Sequence, residues 1–464
     1  MDIKTMKQIL DDTDAARQRV VDQNITSLRY YLNENDITLR NNGISKINKK
    51  GKNEALRSAD NRISNNFHEL IVDQEASYLT SNRPQIDVDD NDNINKQVDE
   101  VLGDDLTLTL NKLVVDASNA GAGWVHYWVD SKNKKFNYAI VPPEQVTPIY
   151  DESLVNGMIA VRRTYRQRDD DGTLYDIHEY WDDKTCTFFK CKSSNATYQS
   201  LTIYNKINYV DNTTQTTTDN SNVYEHNLGR IPFIKFAKNL HEHPEISKYK
   251  GLIDAYDSIY NGYLNDLDDI QEVVFVLKNF GGQDLASFKK DLKETKALKF
   301  EDDGGVDTLS IEIPREARDD MLDITRSSIF LMAKSVDPSK VVLSNATATA
   351  IKQLQSQLEE KANLTQQYFQ KGLNELIRAI LKFLNIPNYD DAKISQTWTR
   401  ATVQNTLEQA QALNQVAQFS SDETIAKANP FVSDWKEELA ARKKQLVDDG
   451  YSNDNALDLG NNNE

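Results

Sequence analysis

The chain has 464 residues, 39% hydrophobic and 27% charged, enough for a full core and more than one structural unit. A formal net charge of −18 excludes a protein that grips nucleic acid over its whole surface, because such affinity comes from Lys and Arg neutralising phosphates. The longest apolar run, VVFVL at 273–277, is too short to cross a bilayer, and the opening MDIKTMKQILDD lacks the apolar centre of a signal or transit peptide.

Taken in chain order, residues 5–32 carry helical periodicity in Met6, Ile9, Leu10, Val20, Val21 and Leu28, with Asp14 expected on the wet side. The basic, Gly-containing stretch 41–57 reads as a loop. Residues 61–82 predict a buried helix with Ile63, Phe67, Leu70, Ile71 and Tyr78 inward, ended by Arg83-Pro84. A further helix is expected over 94–119, stopped by AGAG. From 123 to 190 the texture changes to strands (GWVHYWVD, KFNYAIVP, MIAVRRTYRQR, YDIHEYW, CTFFK) separated by turn signals such as DDDGT. Residues 205–222, rich in Thr and Asn, predict an exposed loop or disorder. Cys186 and Cys191 have no further Cys partners for a zinc site and read as reduced structural thiols.

Three long helices follow. At 100° per residue from Leu252, the residues Leu252, Tyr256, Ile259, Tyr263, Leu267, Ile270, Val274 and Leu277 fall within about 80° of one another. Asp254, Asp257, Asn261, Asp268 and Glu272 gather on the other side, so 251–282 predicts one helix of roughly 42 Å with an apolar seam and an acidic back. A second helix at 315–335 repeats Ala317, Met321, Ile324, Ser328 and Leu331. Between them, 283–314 predicts a short helix and a hairpin turning at Asp302–Gly305. Pro338 forbids simple continuation, and a third helix is expected from about Thr347 to Ile386, capped by Ser344 or Asn345, with Gly372 as a candidate kink. A strand at 393–401, terminal helices and a disordered acidic tail complete the chain. The fold class expected is α+β, mainly helical.

Catalytic motifs are missing from the sequence. There is no GxxxxGK[ST], no GxSxG and no HExxH, and GAGWVH lacks the third glycine of a dinucleotide fingerprint. His241 and His243 read as loop residues rather than metal ligands, and Asp266, Asp268 and Asp269 diverge around a helix axis instead of converging on a metal. No catalytic, cofactor or metal residue is expected.

Several stretches in fixed order resemble the portal proteins of tailed bacteriophages, in the family of siphophages of Gram-positive hosts. They are RYYLNENDITLR (29–40), NRISNNFHELIVDQEASYL (61–79), IVPPEQVTPIYDES (140–153), AVRRTY (160–165), EHNLGRIPFIKFAKN (225–239), GLIDAYDSIYNGYLNDLDDI (251–270), NATATAIKQLQSQLEEKA (345–362) and SSDETIAKANPFVSDWKEEL (420–439). The chain departs from the family at Lys238-Asn239, where an Asn pair is common, and at ATATA, where Ser-Gly is commoner. The resemblance implies a ring of twelve subunits at one capsid vertex of the virion, assembled in the host cytoplasm. Double-stranded DNA would be pumped in through it by terminase and released through it towards the tail. Implied partners are the major capsid, scaffolding and head-completion or adaptor proteins, with no membrane; another ring-forming connector without the channel role is the alternative. The implied anatomy is an N-terminal helical arm (1–27), an α/β wing (28–250), stem helices (251–282 and 315–335), a small α/β clip (283–314), a tunnel loop (336–346), a long kinked wing helix with a strand (347–402), and a helical crown with the tail (403–464).

A conduit for DNA must not bind it tightly, and acidic or amide side chains let a duplex slide where Lys and Arg would hold it. Asp254, Asp257, Asn261, Asp268 and Glu272 are therefore expected to line the channel. Asp337, Lys340, Ser344 and Asn345 are expected in the tunnel loop, and Lys299, Glu301, Asp302 and Asp303 at the clip's partner contacts.

Overall fold

The computed structural model describes residues 1–39, 59–130, 132–153, 157–169, 172–193, 198–205, 207–210, 217–270, 274–278, 305–309, 315–340, 348–400, 413–417, 419–429, 431–432 and 434–448. The chain forms two compact units, 1–338 with 355–400, and 339–354 with 401–464.

The larger unit begins with α1 (Ile3–Tyr31), opened by Asp2, whose carboxylate accepts from the Thr5 amide at 2.7 Å. Then come α2 (Phe67–Leu79), β1 (Gln85–Val88), α3 (Asp92–Leu102) and α4 (Leu106–Ala120). The single helix expected over 94–119 is thus two, because Gly103 at φ 70° breaks it. Gly121 ends α4 at φ 89°, and a Cβ there would lie 1.9 Å from the Glu242 carbonyl oxygen. Ile63 and Leu70, expected inward, stay 47% and 37% exposed, since the helix starts only at Phe67 and buries Phe67, Ile71, Val72, Ala76 and Leu79.

The strand region holds β2 (Ala122–Val129), β3 (Phe136–Val141), β4 (Val146–Tyr150), β5 (Met158–Arg168), β6 (Leu174–Trp181), β7 (Thr185–Lys192), β8 (Thr202–Ile203), β9 (Ile207–Val210), β10 (Thr217–Ser221), β11 (Val223–Glu225) and β12 (Phe233–Ala237). A six-stranded antiparallel sheet runs β11-β7-β6-β5-β4 with β8 beside β7, and a three-stranded one runs β12-β2-β3. The Thr/Asn-rich stretch expected as loop or disorder carries the antiparallel pair β9–β10 instead; Thr, Val and Ile suit extended backbone even in polar surroundings. Cys186 and Cys191 point to opposite faces of β7, one into the core with Trp124 and Trp181, the other under α1 with Met6 and Leu10. Asp14 of α1 is not simply wet: it accepts from the Tyr198 hydroxyl at 2.7 Å and pairs with the buried Arg162.

After α5 (Lys250–Ile270) come β13 (Val274–Lys278), β14 (Gly305–Leu309), α6 (Arg315–Ala333), α7 (Ala348–Phe383) and β15 (Ile394–Thr397). The helix expected over 251–282 therefore stops at Ile270. The β-branched run that follows is a strand, with Val274 opposite Leu309 in β14, because such side chains favour extended backbone. Lys299, Glu301, Asp302 and Asp303 lie outside the described residues, as does the expected hairpin turn apart from Gly305. The third helix runs unbroken through Gly372, where a Cβ would lie 2.8 Å from the Phe236 ring and 3.0 Å from the Lys235 carbonyl oxygen. That glycine lets β12 pass close to α7 rather than bending the helix. The main core gathers α4, β2, β12 and α7, while a second core joins Tyr30, Phe67, Ile71, Tyr249, Ile253 and Phe330 at the root of α5 and α6. In the smaller unit, α8 (Asp422–Ala428) is capped by Ser421 and packs on α9 (Trp435–Asp448), with Lys427 over the Trp435 ring at 4.3 Å.

Candidate channel and assembly elements

The polar side of α5 meets its own chain. Lys250 at the first turn bonds Asp36 (2.6 Å) and Asp254 (2.8 Å), and Asp254 also accepts from the Tyr30 hydroxyl. Asp257 accepts from the Asn65 amide (3.1 Å), the Asn65 side chain (2.8 Å) and Asn35 (2.7 Å). Asn261 clamps both main-chain groups of Ile63, accepting from its N–H and donating to its C=O, each at 2.7 Å. Asn265 accepts from the Asn61 amide at 2.6 Å, and Asp268 from the Asn61 side chain at 2.7 Å. As the residue number rises along α5 it falls along 61–65, so this segment is a strap running against the helix direction. Helical spacing puts 257, 261, 265 and 268 on the one face that reads it.

This corrects two of the channel-lining expectations. Asp257 is 0% exposed and Asn261 2%, because the strap's main chain fills the face that was expected to be wet. Burial pushes the Asp257 carboxyl up, against the lowering effect of the Asn35 and Asn65 hydrogen bonds. Asp254 is half-buried and ion-paired, Asp268 is exposed, and Glu272 lies outside the described residues.

The apolar seam of α5 faces α6 of the same chain. Tyr256 meets Phe67 edge-on at 4.9 Å, Phe67 meets Phe330 at 6.0 Å, and Arg318 pairs with Asp266 further along. Asp337, expected in a projecting loop, is buried and held in a two-pronged pair by Arg326 with both contacts at 2.8 Å. Lys340 ends an exposed 3₁₀ turn, Pro338–Lys340, while Ser344 and Asn345 lie outside the described residues. On the far side of α6 from Thr325, Ile329 and Ala333, an apolar stripe faces outward: Met321 is 48% exposed, Ile324 59% and Leu331 55%.

The sequence reading missed a buried charge cluster that joins four elements. Glu75 of α2 pairs with Lys238 after β12 (2.5 Å) and Lys361 of α7 (3.0 Å); Glu245 pairs with Lys361 and, at 3.6 Å, with Lys238. Thr365, one turn after Lys361, donates to Glu75 at 2.7 Å. Burial raises the Glu75 carboxyl, but Lys238 and Lys361 outweigh it and hold the group ionised far below the usual range. Beside it, His68 lies 2.8 Å from the Tyr249 hydroxyl and 3.0 Å from Asn119 Oδ1, and burial lowers its pKa to about 4, so the ring is neutral. A signal was present, since Glu75 and Lys361 interrupt apolar faces that otherwise turn inward.

Among the described residues no group of three or more His, Cys, Asp or Glu is placed to hold a metal, and no helix is long and apolar enough to cross a membrane. A cleft of about 610 Å³ beside β2, β12 and α7 is lined by Tyr127, Arg230, Phe233, Glu375, Arg378 and Asp390, and there Arg230 is already paired with Asp390.

A family model described as "Phage portal protein, SPP1 Gp6-like" matches residues 10–449. The chain belongs to this portal family. It is 33% identical to the "Portal protein" of Clostridium phage phiCD119 over 98% of its own length and 99% of that protein. With the "Portal protein" of Bacillus phage SPP1 it shares 28% identity over 98% of its length and 91% of that protein. Among solved structures, the neck of an empty gene transfer agent (GTA) particle aligns with 78% of this portal chain and 88% of that chain, at a TM-score of 0.44 and 9% identity.

Proposed function

We propose that this portal chain forms a closed ring of twelve subunits, the channel through which terminase packages double-stranded DNA and through which the genome later leaves. A portal protein is a structural part of the virion, at the capsid vertex, and not an enzyme. The observation that carries ring assembly is the outward stripe of Met321, Ile324 and Leu331 on α6, which a lone subunit leaves in water. A repeated heterologous contact that covers such a stripe gives a ring where its rotation closes. In this reading α5 and α6 are the stem, β13, β14 and 279–304 the clip, 336–346 the tunnel loop, α7 the long wing helix, and α8 with α9 the crown. Terminase and the head-completion protein would meet the clip, and scaffolding and major capsid proteins the wing.

With Asp257 and Asn261 turned inward and Asp254 held by Lys250 and the Tyr30 hydroxyl, the channel-wall candidates reduce to Asp268 and Glu272. The assembled species is expected at roughly 0.6 MDa, from 52.9 kDa per subunit and twelvefold closure, with a central hole in negatively stained images. Asp268→Lys with Glu272→Lys leaves that ring intact and slows DNA packaging in an assembly assay; packaging at the wild-type rate removes these residues from the channel wall.

A further inference from the structure

The underside of α1 sets a mixed face on the six-stranded sheet. Met6, Leu10, Asp14 and Arg17 fall within about 80° of one another around the helix. Met6 and Leu10 pack on Phe189 and Cys191 of β7, and the polar pair meets two buried groups, Arg162 of β5 (1% exposed) and His178 of β6 (2% exposed). Arg162 is loosely held for a buried guanidinium. It donates to the Leu10 carbonyl at 3.4 Å and to Asp14 and the Thr147 hydroxyl at 3.5 Å, all at the long limit of a hydrogen bond. Its Nε, the Nε of Arg17 and the Nε2 of His178 are buried with no hydrogen-bond partner among the described residues. His178 Nδ1 lies 3.0 Å from the Thr164 hydroxyl, and when that hydroxyl donates, the neutral ring carries its hydrogen on Nε2. Burial first, and then the Arg162 charge, lowers the His178 pKa to about 4 and keeps the ring neutral.

The charges here do not balance. Arg17 acts on Arg162, His178 and Tyr198, so two guanidiniums share one carboxylate, Asp14, which also accepts from the Tyr198 hydroxyl at 2.7 Å. Asp176, the other carboxylate acting on His178, is paired with Arg166 at 2.9 Å. One positive charge is left in excess, and a buried charge is costly until it is countered. We propose that Arg17, Arg162 and His178 form a binding site for one small monovalent anion, of the chloride class, which pins α1 to the sheet. A singly charged ion cancels the excess, whereas a divalent oxyanion would overshoot it and be repelled by Asp14. Asp14, 43% exposed, stands at the solvent edge of the cluster. Because Arg17 rides on α1, the ion binds fully only while that helix is docked, and by linkage it stabilises the docked helix. The site belongs to one subunit and stands whether or not rings close.

Hydrogen exchange of the full-length chain in sodium chloride, set against sodium gluconate at matched ionic strength, tests it. Chloride at about ten times its dissociation constant is expected to slow exchange along residues 6–17 of α1 roughly tenfold. Arg17→Met removes the excess charge and should abolish the difference between the two salts. Asp14→Asn adds to the excess, keeps an acceptor for Tyr198, and should enlarge the difference at low chloride; it decides the matter if Arg17→Met does not fold. Equal exchange in both salts overturns the proposal and leaves the three donors to water. A chloride effect that survives Arg17→Met unchanged, or that Asp14→Asn does not enlarge, overturns it by placing the ion elsewhere. Bromide soaked into crystals should give an anomalous peak beside Arg162 Nε, and such a peak with no salt effect in solution means binding at crystal concentration only, which also overturns it.

Discussion

At the scale of single residues, the buried square of Glu75, Lys238, Glu245 and Lys361 is balanced only as a set. Lys361→Met leaves two buried carboxylates to one ammonium and is expected to lower stability by about 3–5 kcal/mol in equilibrium urea unfolding. Adding Glu245→Met restores a neutral Glu75–Lys238 pair, and most of the loss should return; no recovery means that packing, not charge, holds the site. Asp116 on α4 is a different case. Burial, with Glu144 nearby, raises its pKa to about 6, so the folded state holds that proton more tightly than the unfolded chain does. Its contribution favours folding below about pH 4 and is lost as pH rises through about 6. Asp116→Asn should therefore be more stable than wild type by about 1–2 kcal/mol at pH 7, with the difference vanishing near pH 4. A difference that does not change with pH would count against the buried proton.

At the scale of elements, the strap on α5 explains why the acidic back of that helix was misread. Polar residues at helical spacing look the same in sequence whether they meet water or a main-chain segment some 200 residues away. Periodicity located α1, α2, α5, α6 and α7, since each buries one apolar face. It could not report that Asp257 and Asn261 bind residues 63–65, nor that the Val-rich run after Ile270 pairs with β14, because both depend on distant partners. Gly372 was legible as an exception and opaque as to cause, until Phe236 came within reach. Asn261→Ala removes both partners of Ile63 and should cost about 2–4 kcal/mol, with faster hydrogen exchange at the Ile63 amide. Asn261→Asp should fare no better, since it keeps the acceptor for the Ile63 amide and sets a carboxylate against the Ile63 carbonyl. Unchanged exchange at Ile63 in both variants would show that the strap holds without the clamp.

At the scale of the whole molecule, family membership was readable from the order of the stretches that resemble the portal family, and the assembly surfaces were not. A stripe such as Met321, Ile324 and Leu331 becomes informative only once the opposite face of α6 is seen to be filled by its own subunit. The charge square, in turn, constrains the order in which the chain matures. Glu75 leaves the ribosome first, Lys238 and Glu245 follow, and Lys361 arrives last, on a helix made after α5 and α6. Until then Lys238 would face two carboxylates, an excess charge that resists burial. Burial of the cluster thus waits for α7, and a subunit truncated before residue 361 would leave Glu75 and Glu245 to share one ammonium.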